Sequence, residues 1–124
     1  MGHINLISIK PSSKPDKKLM ATFEINGKQK VTHFGQRFAS DYIIHNDIKR
    51  RNRYIFRHHK DIRTGDPSRA GYLSLFILWN KLTILASISD YKKRLGVFNN
   101  TGKFPTNIIG YKSPSSNKKS FNKI

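Results

Sequence analysis

The spacing of hydrophobic and polar positions changes period once along this chain, near residue 40. Before it the pattern is two-fold: Ile4, Leu6 and Ser8 alternate with Asn5, Ile7 and Ile9. Pro11-Ser12-Ser13-Lys14-Pro15-Asp16 then breaks the run as a loop. A second extended run, Leu19 to Ile25, meets Asn26-Gly27, and the return strand reads Lys28 to Phe34, ending at Gly35. Asn-Gly between extended runs is the strongest short hairpin signal, because both central residues of a type I′ turn need φ > 0. Two or three antiparallel strands are predicted over residues 4–35.

From Ser40 the period is about 3.6. Ser40 and Asp47 are candidate N-caps, and Ile48, Ile55 and Ile62 recur seven apart on one face. Lys49, Arg53, Arg57 and Lys60 follow at steps of four, four and three, forming a basic stripe on another face. Thr64-Gly65 ends this helix. Asp66-Pro67 then predicts a new start, with Asp as cap and Pro at the first helical position. Leu73, Phe76, Ile77, Leu78 and Trp79 make that second helix mostly core, with Trp79 as its anchor. Thr83 caps a third helix carrying Ile84, Ile88, Tyr91 and Leu95 on one side. Gly96 is expected to stop it, behind Lys92, Lys93 and Arg94, where cations suit the helix dipole.

Residues 97–124 are rich in Asn, Ser, Lys, Gly and Pro, with Phe98, Phe104, Tyr111 and Phe121 spaced through them. Such a composition buries too little to fold alone. It reads as an extended arm whose aromatics anchor it in pockets on neighbours. The expected architecture is therefore α+β: a single domain over 1–96, with a small N-terminal antiparallel hairpin sheet and about three α-helices, then an extended basic C-terminal arm over 97–124.

Charge sharpens this picture. The 124 residues carry 24 Lys+Arg against 7 Asp+Glu, a net charge of +17. So dense an excess calls for a polyanion or an acidic neighbour. Cysteine is absent, which excludes disulfides, a Cys-ligated zinc finger and thiolate chemistry. The longest nearly apolar run, Tyr72 to Trp79, is too short to span a bilayer, and Met1 to Ser13 has no signal-peptide pattern. No membrane span is expected.

Catalytic patterns fail on inspection. His58-His59 are adjacent, so on a helix they point about 100° apart and do not chelate one ion, with His33 and His45 elsewhere. His33-Phe34-Gly35 reads as a strand end. The seven carboxylates show no two-metal spacing, and Asp41, Asp47 and Asp66 suit caps. Asn100-Thr101-Gly102-Lys103 lacks the first glycine and the Ser/Thr of a phosphate loop, and Phe104-Pro105 forbids the helix it would open. No enzyme activity, catalytic residue, cofactor, metal or small-molecule substrate is expected. The signal that remains is the basic stripe: Lys49, Arg50, Arg51, Arg53, Arg57 and Lys60 have only Asp47 and Asp61 nearby. Lys49, Arg50, Arg53, Arg57 and Lys60 are the candidate contacts to a polyanion or an acidic partner.

Several strings stand in order along the chain: Ser8-Ile9-Lys10-Pro11-Ser12, Lys17-Lys18-Leu19-Met20-Ala21-Thr22-Phe23, Thr32-His33-Phe34-Gly35 and Ser40-Asp41-Tyr42. Arg53-Tyr54, Arg57-His58, Gly65-Asp66-Pro67, Ala70-Gly71-Tyr72-Leu73-Ser74, Leu78-Trp79-Asn80-Lys81, Ala86-Ser87-Ile88 and Asp90-Tyr91-Lys92-Lys93-Arg94 complete the series. Over about residues 6–95 this resembles a family of small basic proteins of unassigned function encoded by large nucleocytoplasmic DNA viruses, the phycodnaviruses, iridoviruses and mimivirus relatives. Leu82 departs from it, since similar proteins have Pro there, and residues from 97 onward lie outside it. The resemblance brings no catalytic residues. It implies a viral protein carried in the virion, and found in host cytoplasm during assembly. Two functions follow as expectations. One is a virion structural protein, a minor capsid component strapping larger coat subunits such as a major capsid protein. The alternative is a sequence-nonspecific DNA-binding protein.

Overall fold

The Asn26-Gly27 turn closes as the local chemistry requires, with φ of 53° and 80°. It joins β2 (Lys17–Ile25) to β3 (Lys28–Gln36), and β1 (Ile4–Pro11) pairs with the other edge of β2, giving an antiparallel meander in the order β1-β2-β3. The computed structural model, which describes residues 3–111, thus has the α+β arrangement expected, a three-stranded N-terminal sheet followed by helices.

A bulge at Ile7 resolves the alternation of β1. Register shifts between Leu6 and Ser8, so Ile7 turns outward while Ile4, Leu6 and Ile9 all reach the core. Ala21, Phe23 and Phe34 complete the buried face of the sheet.

The helices are shorter and more interrupted than the periodicity predicts. Asp41, not Ser40, caps α1 (Tyr42–His45), accepting from the Ile44 N–H, and Asn46 ends α1 in the left-handed region with φ 54°. Asp47 caps α2 (Ile48–His58) through the N–H groups of Lys49 and Arg50. A 3-10 turn, His59–Ile62, follows. Of the three isoleucines spaced by seven, only Ile55 is fully buried; Ile48 is exposed, and Ile62 is carried off the helix by the 3-10 turn.

Asp66-Pro67 does not open a helix. The Asp66 carboxylate takes both the N–H and the hydroxyl of Ser68, while Tyr91 Oη donates to the Pro67 carbonyl and Thr32 Oγ1 to that of Ser68. With those carbonyls engaged from outside, α3 starts only at Ala70 (Ala70–Leu73) and widens into a π-helical turn, Ser74–Leu78. Leu75, Phe76, Ile77 and Leu78 are all buried, so this segment is wrapped on every side.

Thr83 caps α4 (Ile84–Thr101) as expected, accepting from the Ala86 N–H, but α4 runs through Gly96. Gly96 is helical because Leu95 and Phe98 bury on either side of it. Asn99 then brackets Ile4, accepting its N–H at 2.9 Å and donating to its carbonyl at 2.8 Å. Gly102, at φ 81°, supplies the left-handed C-cap that stops the helix. The boundary expected at 96/97 therefore falls inside a helix.

Residues 103–111 pack back onto the body. Phe104 sits against Tyr72, Phe76 and Tyr91 with ring centroids 5.1–5.6 Å apart. Ile108 is buried beside Ile55, Tyr72, Leu75 and Phe76. Two guanidiniums clasp the segment's backbone: Arg94 donates to the Pro105 carbonyl at 2.8 Å, and Arg51 to that of Ile109 at 3.0 Å. The arm anchors are corrected accordingly. Phe98 is core, and Phe104 and Tyr111 pack on this chain's own second hydrophobic cluster, because the wrapped π-helical turn needs a cover on that side. Phe121 lies outside the described residues.

One junction responds to pH. His45 Nδ1 accepts the Asp47 N–H at 2.9 Å, which requires an unprotonated Nδ1, while Nε2 is sealed without a partner among the described residues. Desolvation, with Arg50 nearby, holds the imidazole below the usual histidine value of 6.5. The folded state thus binds fewer protons than the unfolded chain; this contribution to stability is complete above pH 6.5 and is lost as pH falls below it. Thermal midpoints measured from pH 8 to 5 should fall in that window, and His45→Asn, whose amide oxygen can replace Nδ1, should flatten the profile. An unchanged slope in the variant would remove His45 as the cause.

Candidate functional site

Asp47 fixes where α2 begins and hence which way its cations point. Lys49, Arg50, Arg53 and Arg57 are all exposed on α2, and Lys60 extends their row from the 3-10 turn that follows. The stripe is therefore built on two elements, not one helix as expected. From Lys49 to Lys60 it covers about 16 Å at 1.5 Å per residue. Among the described residues none of these five makes an ion pair.

The carboxylates that could neutralise them are engaged elsewhere. Asp41 pairs with Lys18, Asp66 lies 3.7 Å from Lys30, Asp90 holds Arg94 at 2.6 Å, and Asp61 faces His58 at 3.0 Å. Asp47 is committed to the α2 cap, whose N–H groups, that of Arg50 foremost, hold its carboxyl below the usual range. Asp16 and Glu24 sit on the sheet and its loop. Other cations, among them Lys10, Lys28, Lys92 and Lys93, also make no ion pair among the described residues, but α2 and the turn after it gather five exposed ones between Lys49 and Lys60. Phe56, 39% exposed, stands beside the stripe with the His59 ring 6.0 Å away.

Arg51 does not belong to this surface. It is 4% exposed, donates to the Asn80 and Ile109 carbonyls, and lies 5.5 Å from the centre of the Tyr42 ring. The signal was in its spacing, because Arg51 precedes buried Ile55 by four and so shares its face.

Beside the stripe a cleft of about 360 Å³ opens between the end of β3 and α2, floored by the π-helical turn. One wall is an aromatic ladder. Trp79 and Tyr54 stack at 4.1 Å and 3°, and Tyr54 and His58 stack at 4.2 Å and 27°. Burial, assisted by the Asp61 charge, pushes the Tyr54 hydroxyl up to about 12, so it stays protonated. Two glycines set the width. A Cβ on Gly71 would lie 2.8 Å from Asp61 Cβ, and one on Gly35, at φ 79°, would lie 2.7 Å from Leu78 Cδ1. Trp79 is the core anchor expected of it, and the ladder went unread although Tyr54 and His58 stand four apart on α2, since Trp79 joins them only once the chain is packed. His58 and His59 do not converge on an ion, and among the described residues no group of three His, Cys, Asp or Glu could hold one. No helix among them is long and apolar enough to cross a membrane.

Residues 7–58 match the model of a family of unknown function (DUF5754). The match takes in most of the sheet from Ile7 onward, α1 and α2 with four of the five exposed cations, and stops short of Lys60 and of the cleft's Asp61, Gly71 and Trp79. No curated protein matches this chain, and no solved structure does.

Proposed function

We propose that this protein binds nucleic acid without sequence preference, through phosphate contacts from the exposed face of α2 and the turn that follows it. The observation that carries this reading is the lack of any ion pair, among the described residues, for Lys49, Arg50, Arg53, Arg57 and Lys60 while most carboxylates are engaged elsewhere. Unscreened cations this close repel one another, and the repulsion is relieved when a polyanion lies across them. Over the length of the stripe a duplex presents about nine phosphate charges. Contacts to phosphates position the nucleic acid without selecting its sequence.

The minor-capsid reading draws on the same charge and on the arm. Its support is reduced, because Phe98, Phe104 and Tyr111 are occupied within this chain. Salt separates the two. With about five phosphate contacts, affinity for arbitrary duplex DNA should fall by two to three orders of magnitude between 50 and 200 mM salt. Fluorescence anisotropy on two unrelated duplexes reads this directly. Absence of DNA affinity at 50 mM salt, together with retention on a coat protein, would transfer the proposal to the capsid role.

A further inference from the structure

The aromatic ladder in the cleft runs from the interior to the surface and ends on an unfinished step. Trp79 is nearly buried, and Tyr54 has both faces covered, one by Trp79 and the other by His58. His58 has one face on Tyr54, and its side chain is 41% exposed. Asp61 fixes the ring orientation through the 3.0 Å contact to Nδ1. A half-exposed, oriented imidazole backed by two stacked rings is a preorganised platform for one more flat ring.

We infer that an unpaired nucleobase stacks on the outer face of His58 at the mouth of the cleft, making this a single-strand site. The inference rests on the nucleic-acid reading above and names its substrate class. The surroundings suit a nucleotide. Lys17 stands at the cleft wall, and Lys60 lines the adjoining groove, which shares Asp61 and Gly71 with the cleft. The cleft volume of about 360 Å³ has room for a base and its sugar. Ser74 and Asp61 line it with groups able to meet the polar edge of a base. A base held in a duplex has both faces covered by its neighbours, so only an unpaired one can complete the ladder.

The test compares oligo(dT) with an abasic deoxyribose-phosphate oligomer of the same length, which carries equal charge and no bases. Oligo(dT) should bind about tenfold more tightly, the worth of one stacked base. His58→Ala should erase that difference and leave affinity for the abasic oligomer within about twofold. Emission from Trp79, the only tryptophan, should change on adding oligo(dT) and not the abasic oligomer, because Trp79 sits in the same ladder. Equal binding of the two oligomers by the unmodified protein would sink the stacking site and leave phosphate binding standing. Failure of both to bind at 50 mM salt would overturn both readings together. His58 is half-exposed, and unchanged binding of the abasic oligomer by the variant reports that its fold survives.

Discussion

A chain ending at Gly102 should fail to fold cooperatively. The cut removes Phe104 from contact with three rings and Ile108 from the second core cluster. Phe104→Ala alone should cost about 3 kcal/mol, the usual scale for emptying a packed aromatic site. The cut also strips the Pro105 and Ile109 carbonyls from Arg94 and Arg51, two guanidiniums at most 9% exposed. Leaving a buried charge short of its partners costs a few kcal/mol more for each. Domains of this size are stable by about 5–15 kcal/mol, so the combined loss reaches that range. Urea denaturation followed by circular dichroism would show it as a sloping, featureless curve. An unfolding midpoint equal to that of the full chain would disprove the claim that residues 103–111 belong to the core.

Reversing Arg53→Glu and Arg57→Glu together should weaken duplex binding by about 100-fold at 100 mM salt. Each phosphate contact contributes roughly one unit to the salt slope and close to a tenfold factor at that ionic strength. Both side chains are exposed and unpaired among the described residues, so the fold should tolerate the change. The control is Lys92→Glu with Lys93→Glu, an equal charge change on exposed α4 positions. It should reduce affinity only a few-fold, by lowering net charge. If both doubles weaken binding equally, net charge binds DNA and the α2 face has no special role.

Legibility in the sequence followed the range of the forces involved. The hairpin was readable because Asn26-Gly27 decides its own φ values. The Asp47 and Thr83 caps were readable because each bonds within its own first turn. Asp66-Pro67 misled, since Tyr91 and Thr32, distant in sequence, take the carbonyls a helix would need. Gly96 misled for a related reason. A glycine ends a helix only where no buried face continues past it, and Phe98 continues it here. The aromatics after residue 97 were visible, but composition does not show whose pocket they fill.

By itself, then, the sequence determined the α+β order of elements, the turn geometry, the charge and the row of cations from Lys49 to Lys60. These depend on neighbours within a few positions, and local sterics and hydrogen bonding settle them. Only the tertiary structure decided that Arg51 leaves that row for the interior, that residues 103–111 close the core, and that Trp79, Tyr54 and His58 line up beside a cleft. Each of these depends on at least one contact between groups many residues apart. Their energies come from burial and desolvation, which exist only once the chain has packed.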